Sequence, residues 1–77
     1  MKYEDVVMPD GFVDVDEGDP ADDGIYLGYF VLEGLGKRFE FISEIQYRAE
    51  VGYLYDNPDA VLIGWKHKYA KRKLPIR

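Results

Sequence analysis

The stretch from Ile25 to Ile42 constrains the fold more than any other part of the chain. Ile25-Tyr26-Leu27-Gly28-Tyr29-Phe30-Val31-Leu32 is a run of β-branched and aromatic residues with no polar face, which suits a strand covered on both sides or central in its sheet. Gly34-Leu35-Gly36 then supplies a turn, and Arg38-Phe39-Glu40-Phe41-Ile42 alternates apolar with polar positions. Residues 25–42 therefore predict an antiparallel hairpin with Phe39 and Phe41 facing inward.

Beyond it, Ser43 and Gln46 stand at the spacing of a capping box, in which a Ser hydroxyl and a Gln amide satisfy orphan N–H groups at a helix start. Tyr47, Val51, Leu54 and Tyr55 fall at i, i+4, i+7 and i+8, so a helix with one packed stripe is expected from Ser43 to Tyr55. Gly52 costs such a helix about 1 kcal/mol relative to Ala. Asp56-Asn57-Pro58-Asp59 should end it, because the residue before Pro disfavours the α region. From Ala60 to Tyr69 the pattern is again that of a strand, with Val61, Ile63, Trp65, His67 and Tyr69 on one face and Leu62, Gly64, Lys66 and Lys68 on the other.

At the N-terminus, Val6-Val7-Met8, a Pro9-Asp10-Gly11 turn and Phe12-Val13-Asp14-Val15 describe a small hairpin or an extended arm. Asp16 to Gly24 holds four Asp, one Glu, two Gly and one Pro in nine residues, a composition expected to form a mobile loop. The resulting expectation is an α+β fold, arm-β-β-α-β, with one helix packed on one face of a small antiparallel or mixed sheet of three to four strands. Its organisation is an acidic arm and loop over 1–24, a ββαβ core over 25–69 and a basic tail over 70–77, all within one domain.

Seventy-seven residues, 47% of them hydrophobic and 16% aromatic, make a chain too apolar for intrinsic disorder and too short for a second domain. A domain of this size hides only roughly 60% of its unfolded surface, so a binding partner would add usefully to its stability. The absence of Cys removes disulfide staples, thiol nucleophiles and zinc knuckles, and makes a cytoplasmic location the expectation. No apolar run approaches the ~20 residues of a membrane span, and Met1-Lys2-Tyr3-Glu4-Asp5 does not open an export signal, so no membrane partner is expected.

Catalysis finds little to work with. The single Ser, Ser43, serves the expected helix cap, and the single His, His67, has no second nucleophile to activate, since Cys and Thr are absent. The acids concentrate in a segment too flexible to hold two carboxylates in register across a cleft. Counting a calcium loop from Asp14 places Gly18 fifth, Asp19 sixth and Ile25 twelfth, which supplies neither the turn glycine nor the bidentate carboxylate. Gly34-Leu35-Gly36-Lys37 lacks the spacing of a phosphate loop. No enzyme activity, cofactor or metal is expected.

The charge is distributed unevenly. Residues 1–36 carry ten acids against one base, a balance of −9, whereas residues 37–77 carry five acids against nine bases, a balance of +4. The two charged segments either neutralise each other in the fold or form separate surfaces. The acidic segment and seven tyrosines favour a non-enzymatic module that binds and modulates another protein, of the general type of small inhibitors carried by phages and other mobile elements. Asp14, Asp16, Glu17, Asp19, Asp22, Asp23, Tyr26, Tyr29 and Tyr53 are the expected contacts. A second possibility is a nucleic-acid-binding accessory protein that uses Lys66, Lys68, Lys71, Arg72 and Lys73 with the interleaved Trp65, His67 and Tyr69. A third is a structural subunit that homodimerises through an exposed strand edge and a tyrosine patch.

Overall fold

A computed structural model describes Tyr3 and residues 5–68. Five strands form one antiparallel sheet: β1 (Val13–Asp14), β2 (Gly24–Gly34), β3 (Lys37–Arg48), β4 (Gly52–Leu54) and β5 (Val61–His67), in the spatial order β1-β5-β2-β3-β4. The expected hairpin is its spine. β2 and β3 pair from Gly34 opposite Lys37 down to Gly24 opposite Tyr47, joined by Leu35 and Gly36 with φ of 54° and 74°. Both values are positive, as in the two-residue turn that matches the right-handed twist of a hairpin. Leu35 occupies this left-handed region without the glycine that usually relieves it, at a cost of about 1 kcal/mol.

The expected helix over Ser43–Tyr55 is overturned: there is no helix among the described residues, and the fold is all-β rather than α+β. Ser43, Glu44, Ile45, Gln46, Tyr47 and Arg48 continue β3 instead. The cause is pairing length. A tight turn fixes the register, and the eleven residues of β2 then require a partner that stays extended as far as Tyr47. Period two also persists through the segment, because Phe41, Ser43, Ile45 and Tyr47 share one face and Glu40, Ile42, Glu44 and Gln46 the other. Ser43 masks the alternation by putting a small polar residue at an inward position, opposite Gly28. A β-carbon on Gly28 would lie 2.8 Å from both Ile45 Cγ2 and Leu62 Cδ1, so the backbone there lies directly beneath its neighbours' side chains.

The rest of the supposed helix is a turn and a short strand. Val51 N donates to Arg48 O at 3.0 Å, Gly52 takes a φ of 96°, and Tyr53 returns to lie opposite Tyr47. Asn57-Pro58-Asp59-Ala60 forms the expected break, with Ala60 N donating to Asn57 O at 3.1 Å, but it connects two strands.

Both faces of the sheet are covered without a helix. One carries the cluster of Tyr26, Phe30, Ile45, Tyr47, Ala60 and Trp65, and the acidic segment lies over it. The other carries Tyr29, Val31 and Ile63 beneath the N-terminal arm, which contributes Tyr3, Val6, Met8 and Phe12. Strand β5 serves both clusters through a register shift against β2: Gly64 lies opposite Tyr29 and Leu62 opposite Phe30, leaving Ile63 as an extra residue. The expected single face of Val61, Ile63, Trp65 and His67 is corrected accordingly. Leu62 joins Trp65 and His67, while Val61 and Ile63 fall on the arm side.

Candidate protein interface

Aromatic side chains in the core determine what the acidic loop does. Tyr and Trp bury large rings but carry a polar tip that needs a partner. The loop supplies those partners. Trp65 Nε1 donates to Gly18 O at 2.9 Å, Tyr26 OH to Asp22 O at 2.6 Å and Tyr53 OH to Asp19 Oδ1 at 2.8 Å. Asp23 Oδ1 accepts from Ala49 N at 2.9 Å and so ties the loop to the turn after β3. Asp14 Oδ1 accepts from Asp16 N at 2.8 Å, a local turn bond. Pro20 is buried. The expectation of a mobile loop is therefore corrected: the segment is laced to the sheet at several points, because the aromatic tips beneath it need acceptors.

This divides the expected binding residues. Tyr26 and Tyr29 are buried, so the structure removes them from any exposed tyrosine patch. Tyr53 is half-buried and bonded to Asp19. The carboxylates of Asp14, Asp19 and Asp23 accept internal hydrogen bonds, and Asp16, Glu17, Asp19, Asp22 and Asp23 are all exposed. Among the bases, Lys66 Nζ lies 5.0 Å from the centroid of the Phe12 ring, and Lys68 forms an ion pair with Glu44. Trp65 is buried against Tyr26, with ring centroids 5.5 Å apart, and belongs to the core rather than to a stacking platform. Lys71, Arg72 and Lys73 lie outside the described residues, as do Tyr69 and the 70–77 tail.

Arg38 organises the opposite face. Its Nη1 donates to Asp5 Oδ2 at 2.7 Å, its Nε lies 3.6 Å from Glu33 Oε2, and its guanidinium sits 5.3 Å from the centroid of the Tyr3 ring. The hydrogen bond from Arg38 holds the Asp5 carboxyl below the usual carboxylate range. These contacts fasten the arm along the hairpin. Tyr29 OH donates to Glu40 Oε1, and this bond, helped by burial, raises its hydroxyl above the ordinary tyrosine value. Burial first, and then donation to Asp19, raises Tyr53 in the same way.

Those shifts give a pH prediction. Free tyrosine ionises near ~10. The folded chain keeps the Tyr29 and Tyr53 protons longer than the unfolded chain does, so their contribution to stability is fully present below about pH 10 and is lost as pH rises toward the folded values. Circular dichroism should therefore be lost only with the last part of the tyrosinate absorbance change, above the ordinary tyrosine range. A tyrosinate change that is complete by about pH 10 with the sheet intact would contradict it.

The open strand edge, which the sequence does not locate, is the outer edge of β3. Strand β4 pairs only with Gln46, Tyr47 and Arg48, so among the described residues no strand covers Lys37 to Ile45 on that side. Leu35 at the tip is fully exposed, and Phe39 and Ile42 along the edge are 52% and 48% exposed. From Leu32 to Phe39 the hairpin also runs past β5, which reaches only as far as Val31. Where β4 ends, Ile25, Glu44, Ile45, Gln46, Leu54 and Tyr55 line a shallow depression of about 370 Å³. The one hint in the sequence is the alternation of Arg38, Glu40 and Glu44 with apolar residues, since charge is a common guard on exposed edges.

Among the described residues no group of three or more His, Cys, Asp or Glu side chains is placed to hold a metal ion. Among the described residues there is no helix long and apolar enough to cross a membrane. No protein family, curated protein or solved structure matches the chain.

Proposed function

We propose that the protein is a small non-catalytic module that binds another protein chain through the outer edge of β3 and the adjoining hairpin tip. The supporting observation is the combination on one margin of an uncovered strand edge, Lys37–Ile45, with exposed apolar side chains at Leu35, Phe39 and Ile42. Uncovered N–H and C=O groups accept an additional strand directly, and alternate side chains give such pairing its specificity. The loop that carries Asp16, Glu17 and Asp22 is bonded instead to Tyr26, Ala49, Tyr53 and Trp65. The test is a photo-reactive phenylalanine analogue at position 39, with position 7 as control, because Val7 is 86% exposed but lies on the arm. In the cells that make the protein, position 39 should cross-link to a specific chain that position 7 does not capture. Identical capture from both positions, or none from position 39, would contradict an edge-binding role.

A further inference from the structure

From the composition of the free edge we infer that its occupant is a second copy of this chain, paired antiparallel to itself about a two-fold axis at Phe41. This inference rests on the edge-binding function proposed above and specifies the partner. In an antiparallel self-pairing, residues i and j face each other when their numbers share a constant sum, and the outward backbone groups meet only when that sum is even. Three centres keep most of the open edge paired: Glu40, Phe41 and Ile42. Centring on Glu40 sets that carboxylate against its own copy. Centring on Ile42 sets Glu40 opposite Glu44 twice. Directly opposed like charges destabilise a sheet.

Centring on Phe41 avoids both clashes. It places Arg38 opposite Glu44, Glu40 opposite Ile42, Phe39 opposite Ser43 and Phe41 opposite itself, with each pair occurring twice except the last. The Arg38 and Glu44 charges are of opposite sign on the same sheet face, as the β2–β3 register shows. Length agrees as well. The open stretch Lys37–Ile45 has nine residues with Phe41 as its midpoint, so this register pairs Arg38 to Glu44 in full and leaves Lys37 and Ile45 as the gap before the other copy's Leu54, because successive positions on a strand lie only about 3.3 Å apart. Each copy's turn then abuts Leu54 at the end of the other copy's β4, which brings the fully exposed Leu35 to the depression lined by Ile25, Ile45, Leu54 and Tyr55. The same contact occurs twice, as an isologous interface requires.

The chain contains no Cys, so single cysteines report the register without interference. Wild-type protein should sediment as a dimer that dissociates on dilution, and Ile42→Glu, which opposes Glu40 at two places, should raise the dissociation constant at least about tenfold. Under mild oxidation Phe41→Cys should form the intermolecular disulfide, while Glu40→Cys and Ile42→Cys, displaced by two residues from their own copies, should not. A monomer at every concentration overturns the inference, and so does cross-linking that favours position 40 or 42 over 41. Because Phe41 is part of the core, circular dichroism should accompany its variant; if that variant is unfolded, a wild-type dimer unaffected by Ile42→Glu is the overturning result. A monomeric chain whose position 39 still captures a different protein would refute self-pairing while leaving the edge-binding function standing. Failure of both experiments would refute both.

Discussion

Phe30→Ala should leave the chain unfolded at room temperature. Phe30 is completely buried, at the middle of β2, with the Phe41 ring stacked at a centroid distance of 5.2 Å and the Tyr55 ring edge-on at 4.9 Å. Removing a buried Phe costs about 3–5 kcal/mol in lost transfer energy and residual cavity. A domain of this size is stable by an amount of the same order, so no margin remains. The neighbouring Phe39→Ala, at a half-exposed position, should cost less than about 1 kcal/mol. Trp65 shares a cluster with Phe30, so its fluorescence during urea unfolding reports both variants. A cooperative Phe30→Ala transition near the wild-type midpoint would show that this cluster does not hold the sheet together.

Gly64→Ala should also be strongly destabilising, by overpacking rather than by a cavity. A β-carbon there would fall 2.3 Å from Met8 Sδ and 2.8 Å from the Val13 carbonyl oxygen. The thioether can swing aside, but the carbonyl belongs to β1, whose Val13 and Asp14 pair with Trp65 and Gly64. Relief therefore requires β1 to move off β5, which also strains the bond from Val15 N to Ile63 O. Overpacking of this kind costs about 1–3 kcal/mol. At about 2 kcal/mol, the melting temperature of a chain this short should fall by about 8–16 °C. Gly34→Ala is the control, because no atom lies within 4 Å of its added carbon; its melting temperature should stay close to wild type. Equal shifts for the two variants would mean that β1 is not packed where the structure has it.

The sequence made some elements legible and hid others, for reasons that lie in particular residues. The β2–β3 hairpin and strand β5 are visible because Ile25–Leu32 and Ala60–Trp65 are dense in β-branched and aromatic residues, and because Gly36 marks the turn. Ser43 and Gln46 carry a real helix-start signal, but a local cap is worth about 1 kcal/mol, and it competes with eleven cross-strand pairs whose register the turn has already set. Alternation cannot reveal the extra residue Ile63, so strict period two puts Val61 and Ile63 on the wrong face of β5. In the loop, charge suggested disorder, whereas the informative residues were elsewhere in the chain: Tyr26, Tyr53 and Trp65 have polar tips that need acceptors, and the loop contains them.

The candidate interface was the least legible part. Whether an edge is open depends on how far its neighbour runs, and β4 is only three residues long because Gly52 starts it late and the chain leaves after Leu54. No local pattern in Lys37–Ile45 conveys that. Once the edge is seen to be open, the order of Arg38, Glu40 and Glu44 along it becomes a constraint on what can pair there.

Residue-resolved amide hydrogen exchange tests the central claim, that β3 carries the binding edge, most directly. In dilute protein, outward amides between Lys37 and Ile45 should exchange quickly while those of Gln46, Tyr47 and Arg48, next to β4, should be slower. At high concentration, or with a captured partner added, new protection should appear within Lys37–Ile45 and leave Asp16–Asp23 unchanged. Protection that appears on the acidic loop while the β3 edge continues to exchange freely would contradict the account.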